Sequence, residues 1–475
     1  MRSPGGPVTR PPSIQRVAHD AGFAPTARVP LLIVGAGACG LVAALRAKAL
    51  GLEVAVLERD ALPAGSTALS SGFIPACDTR VQRRAGIDDS VDRFVADITA
   101  KAGGRNDSSL TEAYVRAIGP ALDWLGEVAG LPFELLEGFV YPGHSRLRMH
   151  AVPERTGRGL IDRLLKAAAD AGIDLLTNAR VVDLIADAHD RILGVRLQRP
   201  DGREETIGCD TLLLACNGYG GNPERIAAHI PEMRDAVFAG HVGNDGSALA
   251  WGEALGAASA DLSGYQGHGS WASPHGMLIT WALMTEGGIQ VDVHGDRFHD
   301  ESLGYSEAAM AVLAQDGGVA WNVFDAPLLA LARGFPDFVA AQRAGALRSA
   351  DDVAGLATTL GVDSARLATT LRELEALADS GEPDRFGRRF RRPLRAPLYA
   401  IRVTGALFHT QGGLVVDCHC RVLRPNGSAL PNLLAAGGSA RGVSGDTVWG
   451  YLSGNGLLSA VAGGWIAAGS LAAQG

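Results

Sequence analysis

Residues Val29 to Asp60 read VPLLIVGAGACGLVAALRAKALGLEVAVLERD. An apolar run, Leu31–Val34, meets a glycine turn, continues into an Ala/Leu-rich stretch from about Cys39 to Leu50, and returns to a second apolar run, Val54–Leu57. That order predicts strand, helix and parallel strand joined by a right-handed crossover. Gly35-Ala36-Gly37-Ala38-Cys39-Gly40 has the G-x-G-x-x-G spacing, and the context gives each glycine a task. Gly35 makes the tight turn, Gly37 lets backbone amides approach a pyrophosphate at the helix N-terminus, and Gly40 permits close helix–strand packing. Glu58 stands 58 − 35 = 23 positions after Gly35, at the end of the second strand, where a carboxylate accepts from ribose hydroxyls. An acid at that point disfavours a 2′-phosphate and hence NADP. NAD and FAD both remain compatible with the fingerprint.

The same alternation continues outward. Leu160, Ile161, Leu164 and Leu165 share one face of a predicted helix. Short strands are expected near Asp174–Thr177, Arg180–Ile185 and Ile192–Leu197, with a turn at Asp187–Asp190 and a fully buried strand over Thr211–Ala215. Beyond about Asp261 the character changes. Residues 264–300 are dense in Gly, Trp and His, and 304–380 read as helical with a cap at Asp351–Asp352. The β pattern returns near Ala396–Arg402 and continues around Gly413–Leu423 and Leu433–Ala436, and a last helix starts near Asn455. The expected class is α/β, a Rossmann-like nucleotide-binding domain (29–263 and 405–475) with an inserted, mostly helical α+β domain (264–404) and a disordered lead (1–28).

Composition removes several function classes. Forty-three Lys and Arg face 51 Asp and Glu, a formal charge of −8 that argues against binding a nucleic-acid backbone. Six cysteines form no disulfide framework, and Cys418-His419-Cys420 has no second pair at zinc spacing, so no metal is expected. The first 28 residues lack a secretory apolar core, which makes the cytoplasm the expected compartment. Val448–Gly475 carries no charge but is rich in Gly, Ala and Ser, with Asn455 and Gln474, and reads as a buried helix rather than a membrane span. There is no G-x-S-x-G to support a hydrolase.

Further motifs decide between the two dinucleotides. They are Ala64-Gly65-Ser66-Thr67-Ala68-Leu69-Ser70-Ser71-Gly72, Leu214 to Asn222 (LACNGYGGN), Gly243-Asn244-Asp245-Gly246, Gly256-Ala257 and Gln266-Gly267-His268. Gly295-Asp296-Arg297-Phe298, Asp384 to Arg388 (DRFGR), Phe408 to Asp417 (FHTQGGLVVD), Leu434 to Gly438 (LAAGG) and Ser453 to Leu458 (SGNGLL) complete the set. With these residues the chain, over about 29–470, resembles the flavoprotein family of fumarate reductase and succinate dehydrogenase. That family also contains urocanate reductase, tricarballylate dehydrogenase and the 3-ketosteroid dehydrogenases. The resemblance implies FAD, a Rossmann-like FAD-binding domain and a cap that closes over the substrate.

The resemblance also extends the cofactor set. Ala38, Cys39 and Arg59 join the first fingerprint, followed by Gly65, Ser66, Thr67, Ser70, Ser71 and Gly72. Val181, Ala215, Asn217, Gly218 and Asp245 come next, then Gly437, Gly438, Gly454, Asn455, Gly456 and Leu457. Amides of Gly454 to Gly456 would point at the flavin edge that gains charge on reduction. Ser66 stands where some relatives carry a flavin-linked histidine, so non-covalent FAD is expected. Gly437-Gly438 replaces an Ala-Gly-Glu of the relatives and removes an acidic partner. Arg146, Arg148, Arg155 and Arg441 are further candidates for anion contacts.

Substrate residues depart from the fumarate pattern. His268 and His409 match histidines that the family uses on the substrate carboxylate or carbonyl. The proton-delivering arginine is absent from Phe324-Asp325-Ala326-Pro327-Leu328-Leu329-Ala330-Leu331, and the carboxylate-clamping arginine is replaced by Tyr451. Of the Thr-Glu-x-x-Arg segment only Thr280 remains, in Thr280-Trp281-Ala282-Leu283-Met284. Paired guanidinium–carboxylate contacts hold a dicarboxylate in register, so fumarate and succinate are not expected. Trp271, Trp281, Trp449 and Tyr451 are candidates for a less polar pocket. The expected function is oxidoreduction of a CH–CH bond next to a carbonyl, with Tyr451, His409 and His268 catalytic. The substrate is a small carbonyl or enone compound, and a quinone, dioxygen or a redox protein accepts electrons. Two alternatives stand beside it: an electron-transfer subunit working with a protein partner, and an FAD oxidase or hydroxylase using dioxygen.

Overall fold

The computed structural model describes residues 11–17, 23–138 and 140–472. Its contacts divide the chain into two units. The first comprises the described residues up to His229, Gly240–Tyr265 and the chain from His409 onward; the second comprises Ile230–Ala239 and Gln266–Phe408.

The first unit is built on the glycine-turn segment. Strand Ala27–Val34 leads through Gly35 (φ +108°) into helix Ala38–Ala49, and strand Val54–Leu57 follows, paired parallel with Leu31↔Val54 to Val34↔Leu57. The strand residues Leu31–Val34 and Val54–Leu57 are all buried, as a sheet covered on both faces requires. Among the described residues this sheet has nine strands. Its path runs Ser13–Arg16, Arg180–Ala186, Ile192–Gln198, Glu204–Leu214, Ala27–Val34, Val54–Leu57 and Asp174–Leu176. Ala429–Ala435 pairs parallel with the end of Glu204–Leu214 and carries Arg421–Leu423 on its other side. Helix Ala38–Ala49 packs on the last helix, Asn455–Ala472. A Cβ on Gly464 of that last helix would run into the Cys39 carbonyl. The last helix is thus a buried element of this unit, and no helix among the described residues is long and apolar enough to cross a membrane.

The second unit is a sheet with helices around it. Met277–Leu278, Tyr265–Ala272, Leu398–Thr410, Val319–Asp325 and Ile289–Val291 lie in that order, and Val237–Phe238 and Leu347–Ala350 pair with Leu398–Thr410. Asp325 and Asp352 cap the helices Ala326–Ala332 and Val353–Leu360 with their side chains. Its polar centre is a buried ion cluster. Glu301 takes Arg297 and Arg388 at 2.6 Å each, and Arg297 also bridges Asp384. The two guanidinium groups outweigh the effect of burial and hold Glu301 down to about 2.

Three expectations change. Ser13–Arg16, inside the stretch read as a disordered lead, form an edge strand on Arg180–Ala186, while residues 1–10 and 18–22 lie outside the described residues. Within 304–380, read as helical, Val319–Asp325 and Leu347–Ala350 are strands. Residues 230–239 group with the second unit, because Val237–Phe238 pair with Ala406–Leu407.

Candidate functional site

The glycine turn positions the first cluster. Gly35 lies against the Ala215 backbone, whose amide donates to the Val34 carbonyl at 2.9 Å. A Cβ on Gly40 would run into the Gly35 carbonyl oxygen, so turn and helix close on each other. Gly37 is different: as the N-cap of helix Ala38–Ala49 it brings no capping side chain of its own, and the Thr67 hydroxyl takes the Ala38 amide. A Cβ there would meet nothing nearer than Thr67 Oγ1 at 3.5 Å, and one on Gly65 nothing within 4 Å. Beyond the Ala38 amide, the positive end of the helix is therefore left room for an anion. Glu58 is buried and pinned beside this turn. Its Oε2 accepts from the Ala36 amide at 3.1 Å and its Oε1 from the Asp60 amide at 3.0 Å. Burial still raises the acid above its ordinary value.

A second cluster surrounds Ser66. Its Oγ accepts from Asn217 Nδ2 at 2.6 Å and from Asn244 Nδ2 at 3.0 Å, and the Gly218 amide returns to Asn217 Oδ1 at 2.8 Å. Asn217 adopts φ +70°, and Gly438 lies against its side chain. Thr67 Oγ1 accepts from the Ala38 amide at 3.1 Å, tying this loop to the helix start. Ser70 Oγ donates to the Thr67 carbonyl and accepts from the Gly72 amide, which closes the turn. Arg59 donates to the Gly243 carbonyl at 2.8 Å and reaches Asp245 at 3.3 Å. Val181 is buried in its strand; Ser71 and Leu457 are partly exposed.

At the start of the last helix the third cluster forms. Gly454 has φ +89° and lies against Pro75. A Cβ on Gly456 would sit 2.8 Å from His409 Nε2, so the imidazole rests on the helix entrance. Tyr451 is buried, with its ring edge-on to His409 at 5.7 Å between centroids. Gln411 Nε2 donates to His409 Nδ1 at 2.9 Å, and burial holds His409 down to about 4, hence neutral at pH 7. Asn455 Oδ1 and Ser459 Oγ are buried here without partners.

His268 belongs to the second unit. Its ring is stacked between Tyr305 (4.8 Å) and Phe408 (5.5 Å), with Trp281 edge-on at 5.9 Å. Trp271 stands edge-on to Phe408 at 5.7 Å. The Ser270 amide donates to His268 Nδ1 at 3.1 Å, which leaves the proton on Nε2. Desolvation pushes this histidine down to about 3.

Some candidates take other roles. Arg148 is fully buried between Asp89 and Asp97, and Arg441 is held by Asp107 and Asp261, so neither is spare for an anion. Arg146 donates to the Asp88 and Ser145 carbonyls, and Arg155 stands 4.0 Å from Glu134. Trp449 is 52% exposed rather than lining a core pocket. Reading the sequence missed Asn244 as a partner of Ser66. It also missed Ser444, and His144, whose Nε2 donates to the Ser453 carbonyl at 2.9 Å just before the last helix. Asn244 lay inside a quoted motif; the other two carried no local signal.

A glycine-capped helix end with room around it, a pinned acid beside it and orphaned polar atoms at a second helix entrance fit a dinucleotide with a redox ring. A flavin-dependent oxidoreductase is the class that this arrangement defines. The family described as "FAD binding domain" matches residues 31–457, and the chain belongs to it, within the fumarate reductase-like flavoproteins. The "Probable fumarate reductase Ifc3" of Shewanella frigidimarina is 30% identical over 451 residues, covering 93% of this chain and 74% of that protein. The 4-oxocyclohex-2-ene-1-carboxylate 5-dehydrogenase of Sinomonas cyclohexanicum is 25% identical, covering 89% and 90%. The open conformation of a flavocytochrome c3 fumarate reductase superposes with a TM-score of 0.80 at 28% identity, covering 95% of this chain and 79% of that one.

Proposed function

We propose that the protein moves a hydride and a proton, together two electrons and two protons, between a CH–CH bond next to a carbonyl and the corresponding enone, in a substrate without paired carboxylates. The observation that carries this reading is Tyr451, buried edge-on to a neutral His409 where the resemblance places a carboxylate-clamping arginine. Helix Ala326–Ala332 likewise has no basic residue, and its cap Asp325 is bound to Arg392. FAD, held non-covalently, supplies the hydride donor or acceptor for the β carbon when bound. Gly35, Gly37 and Gly40 would give its pyrophosphate access to the helix end, Glu58 would take its ribose, and Ser66 with Asn217 and Gly454 to Leu457 would hold its ring.

The protein's own groups do the rest. A neutral imidazole donates a hydrogen bond to a carbonyl oxygen and so favours charge that develops there. His409 fills that role, and Tyr451 Oη gives or takes the proton at the α carbon. His268 offers the same kind of neutral N–H donor inside an aromatic surround, a setting suited to a planar, uncharged substrate. The test is discrimination: the anaerobically reduced protein, offered fumarate or a neutral cyclic enone at equal concentration, should be reoxidised by the enone only. Faster reoxidation by fumarate would defeat the reading.

A further inference from the structure

His409 ends a chain of hydrogen bonds with a defined direction. Asn455 Nδ2 donates to Ser444 Oγ at 2.9 Å, Ser444 Oγ donates to Gln411 Oε1 at 2.7 Å, and Gln411 Nε2 donates to His409 Nδ1 at 2.9 Å. All three supporting side chains are buried. The backbone of Gln411 is fixed on both sides: its amide donates to the Gly264 carbonyl, and its carbonyl accepts from the Gly442 amide, each at 2.8 Å. The main chain that carries the side chain is therefore fixed, and Ser444 and His409 hold the amide group at its two ends. We propose that Gln411, oriented by Ser444 and Asn455, is a positioning residue that keeps Nδ1 of His409 unprotonated and its one proton on Nε2. This inference rests on the reading that His409 serves the substrate carbonyl, because only an Nε2–H is a donor there.

The structure also supplies the competitor. The Thr410 carbonyl lies 3.3 Å from the same Nδ1 and would accept from it if the proton stood there. The shorter contact, and a chain in which each hydroxyl or amide has a consistent sense, favours the Gln411 amide as donor. In the opposite sense Gln411 would present its oxygen to His409, and Nε2, the atom nearest Gly456, would be a bare lone pair. The two arrangements give the site opposite chemistry, a hydrogen-bond donor in one and a proton acceptor in the other.

The tautomer is readable without turnover. FAD-loaded protein with 15N-labelled histidine is examined by two-bond 1H–15N correlation, and the His409 signals are identified by their loss in His409→Gln. The expected spectrum has Nε2 protonated and Nδ1 bare. A spectrum with Nδ1 protonated overturns the inference from the wild-type protein alone. Gln411→Glu nearly preserves shape but removes the donor, so the proton should move to Nδ1 or both nitrogens should become protonated. An unchanged protonation pattern in that variant, with FAD retained, would show that Gln411 does not set the tautomer. Ser444→Ala frees the amide and should give a mixture of both tautomers. Since no substrate is present, failure of the enone reading leaves this result standing, and the reverse is equally distinguishable.

Discussion

Replacing Gly37 by alanine separates cofactor binding from folding. The native backbone at Gly37 (φ −74°, ψ −175°) is open to any residue, and its added methyl would meet only Thr67 Oγ1, at 3.5 Å. An alanine at a helix N-cap costs about 0.5–1 kcal/mol against glycine. Stiffening the unfolded chain returns about 0.4–1 kcal/mol. The apoprotein should thus melt within a few degrees of wild type. On the proposed placement of the pyrophosphate, the methyl nevertheless stands at the helix entrance that a phosphate oxygen would approach. Losing a charge-assisted hydrogen bond is worth about 1.5–3 kcal/mol, which weakens FAD binding by about ten- to a hundredfold. Apoprotein titrated with FAD, followed by quenching of flavin fluorescence, gives the dissociation constant, and thermal melting of the same sample gives stability. Gly40→Ala is the contrast: its methyl runs into the Gly35 carbonyl, so the apoprotein itself should be destabilised. Wild-type FAD affinity in Gly37→Ala would refute the placement of the pyrophosphate.

Glu58→Ala removes the acceptor of the Ala36 and Asp60 amides as well as the proposed ribose contact, and FAD affinity should fall about tenfold or more by equilibrium titration. Full flavin retention would show that Glu58 does not hold the ribose. Tyr451→Phe should slow the half-reaction with substrate by about 10²–10⁴-fold in stopped flow while leaving FAD bound; unchanged rates would make Tyr451 a packing residue. His150 and His144 are buried and lie at about 4, and His268 at about 3. Folded, they bind fewer protons than the unfolded chain below its histidine pKa of about 6.5, so stability falls as pH drops from there towards 4. At pH 5 each contributes a loss of up to about 2 kcal/mol, which should appear as a lower melting temperature than at pH 7. An equal melting temperature at the two values would contradict their burial.

The strand–turn–helix–strand unit was legible because its signals are local: three spaced glycines between apolar runs, then an acid at the end of the second strand. Val319–Asp325 was not, although it lies inside its sheet, between Leu398–Thr410 and Ile289–Val291. It is buried almost throughout, so it shows little alternation, and it stands among Ala- and Leu-rich helices. Pairing with Leu398–Thr410, far along the chain, and with Ile289–Val291 marks it as a strand. Ser13–Arg16 is short and polar, and owes its state to partners near Asp183. Among the candidate site residues, the glycines and histidines stand in motifs visible in the sequence, while Gln411, Ser444 and Asn455 meet only in three dimensions. The same holds for the aromatic surround of His268, assembled from residues 281, 305 and 408. The missing arginines were readable as absences. What the remaining arginines do instead, such as Arg148 between two aspartates, required the structure.

The central claim is that the reacting bond is a carbon–carbon bond beside a carbonyl. Its most direct test is a single turnover under anaerobic conditions. FAD-loaded protein is photoreduced, mixed with a panel of cyclic enones, and both flavin absorbance and product are followed. The account predicts rapid reoxidation by at least one enone with one saturated ketone formed per flavin. Reduced flavin that persists with every enone, and with the saturated ketones failing to reduce the oxidised form, yet yields at once to dioxygen or a quinone, would contradict it.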